Sequence, residues 1–231
     1  MIPLKDDISS SKFPLINTLL IAVNVVVFLF ELGLGRNLNQ FIMGVAVIPE
    51  SLLFEGLPAW PKILYSMFLH AGWGHFLGNM LYLYIFGDNV EDALGHLKYA
   101  VFYLLCGFGA AWAHILAGPS SPLPAIGASG AIAGVLGAYL VLYPSAGVLT
   151  LVPLGFFIRI IKIPALVVLG FWIVLQIILG AASLPGGGRE GGIAWFAHIG
   201  GFACGLLLVI IMGGLRKRQK YVAKSRRFWD N

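Results

Sequence analysis

Gly127-Ala128-Ser129-Gly130-Ala131-Ile132-Ala133-Gly134-Val135-Leu136-Gly137-Ala138-Tyr139-Leu140-Val141-Leu142-Tyr143-Pro144 is an apolar, helix-forming run that opens near a serine and stops at a proline. Pro122 and Pro124 set it off from the preceding chain. From Ser129 to Tyr143 it holds fifteen residues. At ~1.5 Å rise these span roughly 22 Å, several ångströms short of a ~30 Å hydrocarbon core. If the far end reaches the opposite interface, Ser129 lies below the membrane surface. Irregular backbone at that depth, here residues 122–127, is tolerated only where it is buried in protein or lines a water-filled cavity. The run therefore predicts a sunken cavity with a serine on its floor.

The rest of the chain supports a membrane setting. Of its 231 residues 59% are hydrophobic and 11% charged, against about 25% charged in soluble domains. The length fits one domain, with a core over residues 14–215 and a basic tail over 216–231. Lys5, Asp6, Asp7 and Lys12 lead into the first apolar run with no small-residue cleavage site after it, so that run is expected to stay as an anchor. Besides the fourth, runs long enough to span occur at 14–32, 99–117, 163–182 and 193–215. The second, within 63–87, is interrupted by His70, Gly72, Gly74, His75, Gly78 and Asn79, and its continuous helix should start near Trp73 or Gly74. An all-α protein of six transmembrane helices follows.

Counting Lys and Arg on alternating sides tests that arrangement. With both termini inside, twelve lie inside and only Arg36, Lys62 and Arg189 outside, in agreement with the positive-inside rule. Ser129 then opens toward the non-cytoplasmic face, and His198, about five residues into the sixth run from that face, lies at similar depth. Seven of the fifteen basic residues sit in the tail after the last run. Such a tail fixes topology and touches anionic headgroups of the lipid bilayer, which leaves no call for a nucleic-acid partner. The first loop, about 40 residues between Gly33 and Trp73 with apolar residues 41–48 and Trp60, is expected to lie partly in the interface. Residues 148–163 alternate weakly and suggest a short hairpin or interfacial segment. Cys106 and Cys204, in apolar runs, read as packing residues.

A polar, ionisable side chain in hydrocarbon is a functional-site hypothesis by default, and here Ser129 and His198 have each other. Gly130 and Gly134 form one small-residue pair; Gly201 and Gly205, at i+3 and i+7 from His198, form another on its own helix face. The fourth and sixth helices should touch there. An imidazole can take the serine proton and make the hydroxyl a nucleophile. Neither run contains Asp or Glu, so the arrangement reads as a dyad. His75 and Asn79, four apart on one helix face, are candidate donors to an oxyanion, with the Ser129 N–H as a third. His70 precedes the second helix and is suited to positioning its loop. His96, with Asp88, Glu91 and Asp92, reads as a solvated or capping cluster, and His114 as an interfacial residue.

Other intramembrane chemistries are disfavoured. There is no His-Glu-x-x-His zinc run and no buried aspartate pair, and no lysine falls near Ser129. A transporter would trace polar residues across the membrane and relate its halves by a repeat; here they cluster at one depth. A non-catalytic protein that holds transmembrane helices remains the alternative.

The sequence resembles the rhomboid family of intramembrane serine proteases, in its six-helix bacterial type. The match rests on Gly127-Ala128-Ser129-Gly130, on Ala197-His198-Ile199-Gly200-Gly201 with Gly205, and on His75 with Asn79. It implies Ser129 as nucleophile, His198 as general base and acid, and His75 and Asn79 as oxyanion contributors. It also implies transmembrane protein substrates cut in or near their helices beside small side chains, no cofactor, and a bacterial cell membrane. Two departures stand out. Where some members carry Trp-Arg in the first loop, this chain has Trp60-Pro61-Lys62. Where some carry a tyrosine stacked on the catalytic histidine, it has Ala133, so something else must orient His198.

Overall fold

The computed structural model describes residues 1–56, 60–155, 157–183 and 194–215. The basic tail and Arg189, both used in the charge count, lie outside the described residues. Among the described residues the chain is mostly helical. Leu15–Leu34 (α1) runs through a 3₁₀ turn into Leu38–Val45 (α2), followed by two short helices, Pro49–Glu55 (α3) and Pro61–Ser66 (α4). Then come Trp73–Leu94 (α5), His96–Ala117 (α6), Ser129–Leu142 (α7), Ala165–Ser183 (α8) and Trp195–Ile211 (α9). Among the described residues three stretches are long and apolar enough to cross a membrane: Leu15–Val45, α6 and α8. The start of α5 and both ends of α7 fall where the glycine and proline punctuation put them.

All-α is corrected in one respect. Ile2–Asp6 (β1), Gly147–Leu154 (β2) and Phe157–Pro164 (β3) form an antiparallel sheet in the order β1-β2-β3. Val148 of β2 stands opposite Asp6 on one side and Ile163 on the other. The β2–β3 hairpin realises the weak alternation of 148–163. β1 gave no signal of its own, because five residues interrupted by Pro3 and by a register shift near Lys5 carry no alternation to read. The first loop is structured as well, into α2, α3 and α4.

α7 is the hub. Ser129, Leu140 and Val141 are its only residues that are not buried, and it packs chiefly against α9, α6 and α5. The small residues make this possible. A Cβ on Gly201 would stand 2.0 Å from the Gly130 carbonyl oxygen, and one on Gly205 1.9 Å from that of Gly134. The helices therefore meet backbone to backbone. Buried acids tie the remaining elements. Glu91 accepts hydrogen bonds from the backbone N–H groups of Ile16 (2.9 Å) and Asn17 (2.7 Å), so a carboxylate from α5 caps the N-terminus of α1. His96 pairs with the same carboxylate, in line with a capping cluster.

At the end of α7 remote from Ser129, the Tyr139 hydroxyl donates to Asp6 at 2.6 Å, and the Asn89 amide donates to the same oxygen at 2.9 Å. Burial pushes the Asp6 carboxyl up to about 6, opposed by the Tyr139 hydrogen bond and reinforced by the Asp7 charge; Asp88 also lies within its field. The folded state thus holds this proton more tightly than the unfolded chain does. Its contribution is complete below the ordinary carboxylate range and is lost as pH rises through about 6. The melting temperature of the wild type relative to Asp6→Asn is expected to be higher at pH 5 than at pH 7.5. A difference independent of pH would contradict this account.

Candidate active site

Ser129 is the first residue of α7, and the segment before it is held by two backbone hydrogen bonds to first-loop residues that are themselves bonded to each other. Ala125 N–H donates to the Val47 carbonyl at 2.7 Å, Val47 N–H to Ser66 Oγ at 2.7 Å, and Gly127 N–H to the Ser66 carbonyl at 2.8 Å. The irregular backbone at 122–127 is thus tied to the first loop, with residues 123–127 partly buried and Pro122 exposed. Gly127 has φ +126°, and a Cβ there would lie 2.6 Å from His75 Nε2. Glycine is required both by backbone conformation and by the ring beside it.

Ser129 and His198 meet. His198, on α9, has Nε2 at 2.8 Å from Ser129 Oγ. The Gly130/Gly201 and Gly134/Gly205 contacts set this distance by bringing the two helices together just below the pair. His75 turns Nε2 toward Gly127, while its Nδ1 accepts the Ala71 N–H at 3.4 Å. Accepting at Nδ1 leaves the proton on Nε2, facing the serine segment. One turn along the same face of α5, Asn79 is buried and its Nδ2 has no hydrogen-bond partner among the described residues. Two N–H donors are therefore free to serve something that enters the site.

Several partners escaped the sequence reading. The other ring nitrogen of His198, Nδ1, lies 2.7 Å from Oε1 of Gln176 on α8, with Gln176 5% and His198 8% exposed. Trp172, four residues before Gln176 and so on the same helix face, sets its ring 5.6 Å from the imidazole. Ala133 is buried in the helix contact; the histidine is held from α8 instead of from α7. Gln176 is the sole hydrogen-bonding side chain of α8 apart from Trp172 and Ser183, and the rule for polar residues in membrane helices points to it. Glu31, fully buried near the end of α1, accepts the His70 N–H at 3.1 Å. It fixes the turn that launches α5, and the His70 ring packs edge-on against Phe28, Phe76 and His75. That is the loop-positioning role expected of His70.

A cavity of about 40 Å³ adjoins Ser129, room for about two or three waters at ~15 Å³ each. Its wall is mostly small, including Gly107, Ala110, Ala111, Ala131 and Ala197, with Met67 also lining it. His114 belongs to this wall and not to the interface expected for it, and its Nδ1 is buried without a hydrogen-bond partner among the described residues. Cys106 and Cys204 are free thiols, the first buried against Gly134.

Residues 58–215 match the Rhomboid domain. The chain belongs to the rhomboid family. It is similar to Rhomboid-like protein 11, chloroplastic, of Arabidopsis thaliana, 28% identical over 82% of this chain and 65% of that protein. It is also similar to RHOMBOID-like protein 4 of the same plant, 32% identical over 75% of this chain and 41% of that protein. Rhomboid protease GluP of Bacillus subtilis (strain 168) is 33% identical over 55% of this chain and 24% of that protein. The chain thus spans under two thirds of the length of each of these relatives. This rhomboid is a membrane protein of a family whose members are generally intramembrane serine proteases.

Proposed function

We propose that this rhomboid is an intramembrane serine endopeptidase that hydrolyses peptide bonds in or near the transmembrane helices of membrane-protein substrates. The observation that carries the reading is the 2.8 Å contact between His198 Nε2 and Ser129 Oγ beside a cavity. In the reaction the Ser129 proton passes to His198 Nε2 as Oγ bonds to the scissile carbonyl carbon. The oxyanion takes hydrogen bonds from His75 Nε2–H, Asn79 Nδ2–H and the Ser129 N–H. When the carbon–nitrogen bond breaks, His198 returns the proton to the leaving amine. Water, activated by the same ring, then hydrolyses the ester. The Ala- and Gly-lined cavity suits a small side chain next to the cut.

Six spans with both termini in the cytoplasm and Ser129 opening to the other side complete the proposal, in a bacterial cell membrane. Lys5, Arg159 and Lys162 gather in the sheet at the end remote from Ser129, whereas Lys62 pairs with Glu55 in the first loop. That distribution supports the proposed topology. Purified protein in liposomes is expected to cut a transmembrane reporter, and a fluorophosphonate should label Ser129 only when His198 is present. Neither cleavage nor labelling would leave the protein a non-catalytic binder of membrane proteins. Asn79→Ala, which removes one of three donors, should lower kcat by about 10²-fold. A loss as large as that of Ser129→Ala, with the fold intact, would remove Asn79 from the oxyanion role.

A further inference from the structure

We propose that Gln176 is a positioning residue of the catalytic machinery, its amide oxygen accepting Nδ1–H of His198 and so fixing the tautomer in which Nε2 is free to take the Ser129 proton. The inference rests on the dyad reading and extends it to a third side chain, from a helix that reading does not use.

The geometry is closed on both sides of the ring. Nδ1 meets Gln176 Oε1 at 2.7 Å and Nε2 meets Ser129 Oγ at 2.8 Å. A neutral imidazole has one N–H and one lone pair. If the proton sat on Nε2, that nitrogen would donate to the serine and could not act as base. An acceptor at Nδ1 selects the useful tautomer, and an amide oxygen is such an acceptor. The opposite amide orientation would aim N–H at Nδ1 and force the unproductive tautomer, so the two orientations predict opposite consequences for activity.

A carboxylate would also accept this proton. Placed on α8, an apolar helix with many exposed faces, it would be a buried charge whose only partner is a neutral ring. Gln176 supplies the direction of the hydrogen bond without the charge. Trp172, one turn away, restricts the ring from its flank at 5.6 Å, and Phe202 lies 6.3 Å beyond the indole. The imidazole is thus held by one hydrogen bond and one ring contact from a single helix face.

The test uses the full chain in liposomes with a transmembrane reporter, with Gln176→Leu, Gln176→Glu and Ser129→Ala compared. Gln176→Leu is expected to lower kcat by about 10²-fold with KM within twofold, and to slow fluorophosphonate labelling in parallel. Gln176→Glu restores an acceptor and adds a charge. It should recover at least about tenfold over leucine and move the acidic limb of the kcat profile up by about one pH unit. The charge alone would move that limb, so the shift reports that residue 176 touches His198 in solution, while the loss of kcat at unchanged KM in Gln176→Leu reports the positioning. Wild-type kcat in Gln176→Leu while Ser129→Ala is inactive would overturn the proposal and leave the dyad standing; wild-type cleavage by Ser129→Ala would instead overturn the dyad. If the leucine variant fails to fold, Gln176→Met, which keeps the length and lacks the amide acceptor, takes its place: a kcat loss of about 10²-fold supports the proposal and wild-type kcat overturns it.

Discussion

Ser129→Ala is expected to lower cleavage of a transmembrane reporter by at least about 10⁴-fold while leaving the fold unchanged. The magnitude follows from what is lost. Without Oγ there is no covalent route, and a histidine with no serine to deprotonate adds little, because members of a nucleophile–base unit fail together. Residual rate would come from oxyanion donors alone. The fold should be insensitive, since Ser129 is only half-buried at a helix start and Ala is a good helix former. His198→Ala should be nearly as inactive, and the double variant no worse than the worse single one. Additive losses would mean that the two side chains act independently despite their 2.8 Å contact.

Gly205→Val is expected to be the most destabilising single change in the helix bundle. Even its first carbon would lie 1.9 Å from the Gly134 oxygen, 2.5 Å from its carbonyl carbon and 2.6 Å from its Cα. All three are backbone atoms, so no side chain can rotate away. α7 and α9 must separate by more than an ångström, at a cost of about 3 kcal/mol or more. Because Gly201 and Gly130 form the next contact toward the dyad, that separation would also lengthen the Ser129–His198 hydrogen bond. Gly170→Ala on α8, with nothing within 4 Å of the added carbon, is the matched control. It should be neutral or stabilising by up to about 1 kcal/mol. Unfolding in detergent with a graded denaturant would separate the two, and equal stability would refute the backbone contact.

What was legible in the sequence were features encoded in short stretches. Trp73 as the start of α5 followed from glycine punctuation, and the short α7 from its flanking prolines. The glycine spacing on two helices was enough to bring Ser129 and His198 together. What was not legible depended on contacts across the fold. Glu91 and Glu31 look like ordinary charges at helix ends, and only the packing of α1 against α5 shows one as a cap and the other as an anchor for His70. β1 is defined by its neighbour β2. Gln176 differs: its isolation in an apolar run was visible, but its partner was not, since nothing in sequence sets the rotation of α8 about α9.

The burial of α7 carries one more consequence. The helix bearing Ser129 scarcely meets lipid, so hydrocarbon thickness has little surface on it to act upon. α8 is bathed by contrast: Phe171, Val174, Ile177 and Ile178 are each more than half exposed or close to it, and its neighbours in the bundle are few. A thinner or thicker bilayer that tilts α8 would therefore be felt at the imidazole, through Gln176 and Trp172, before it is felt at the serine. His198, not Ser129, is the side chain of this pair that listens to the surrounding lipid.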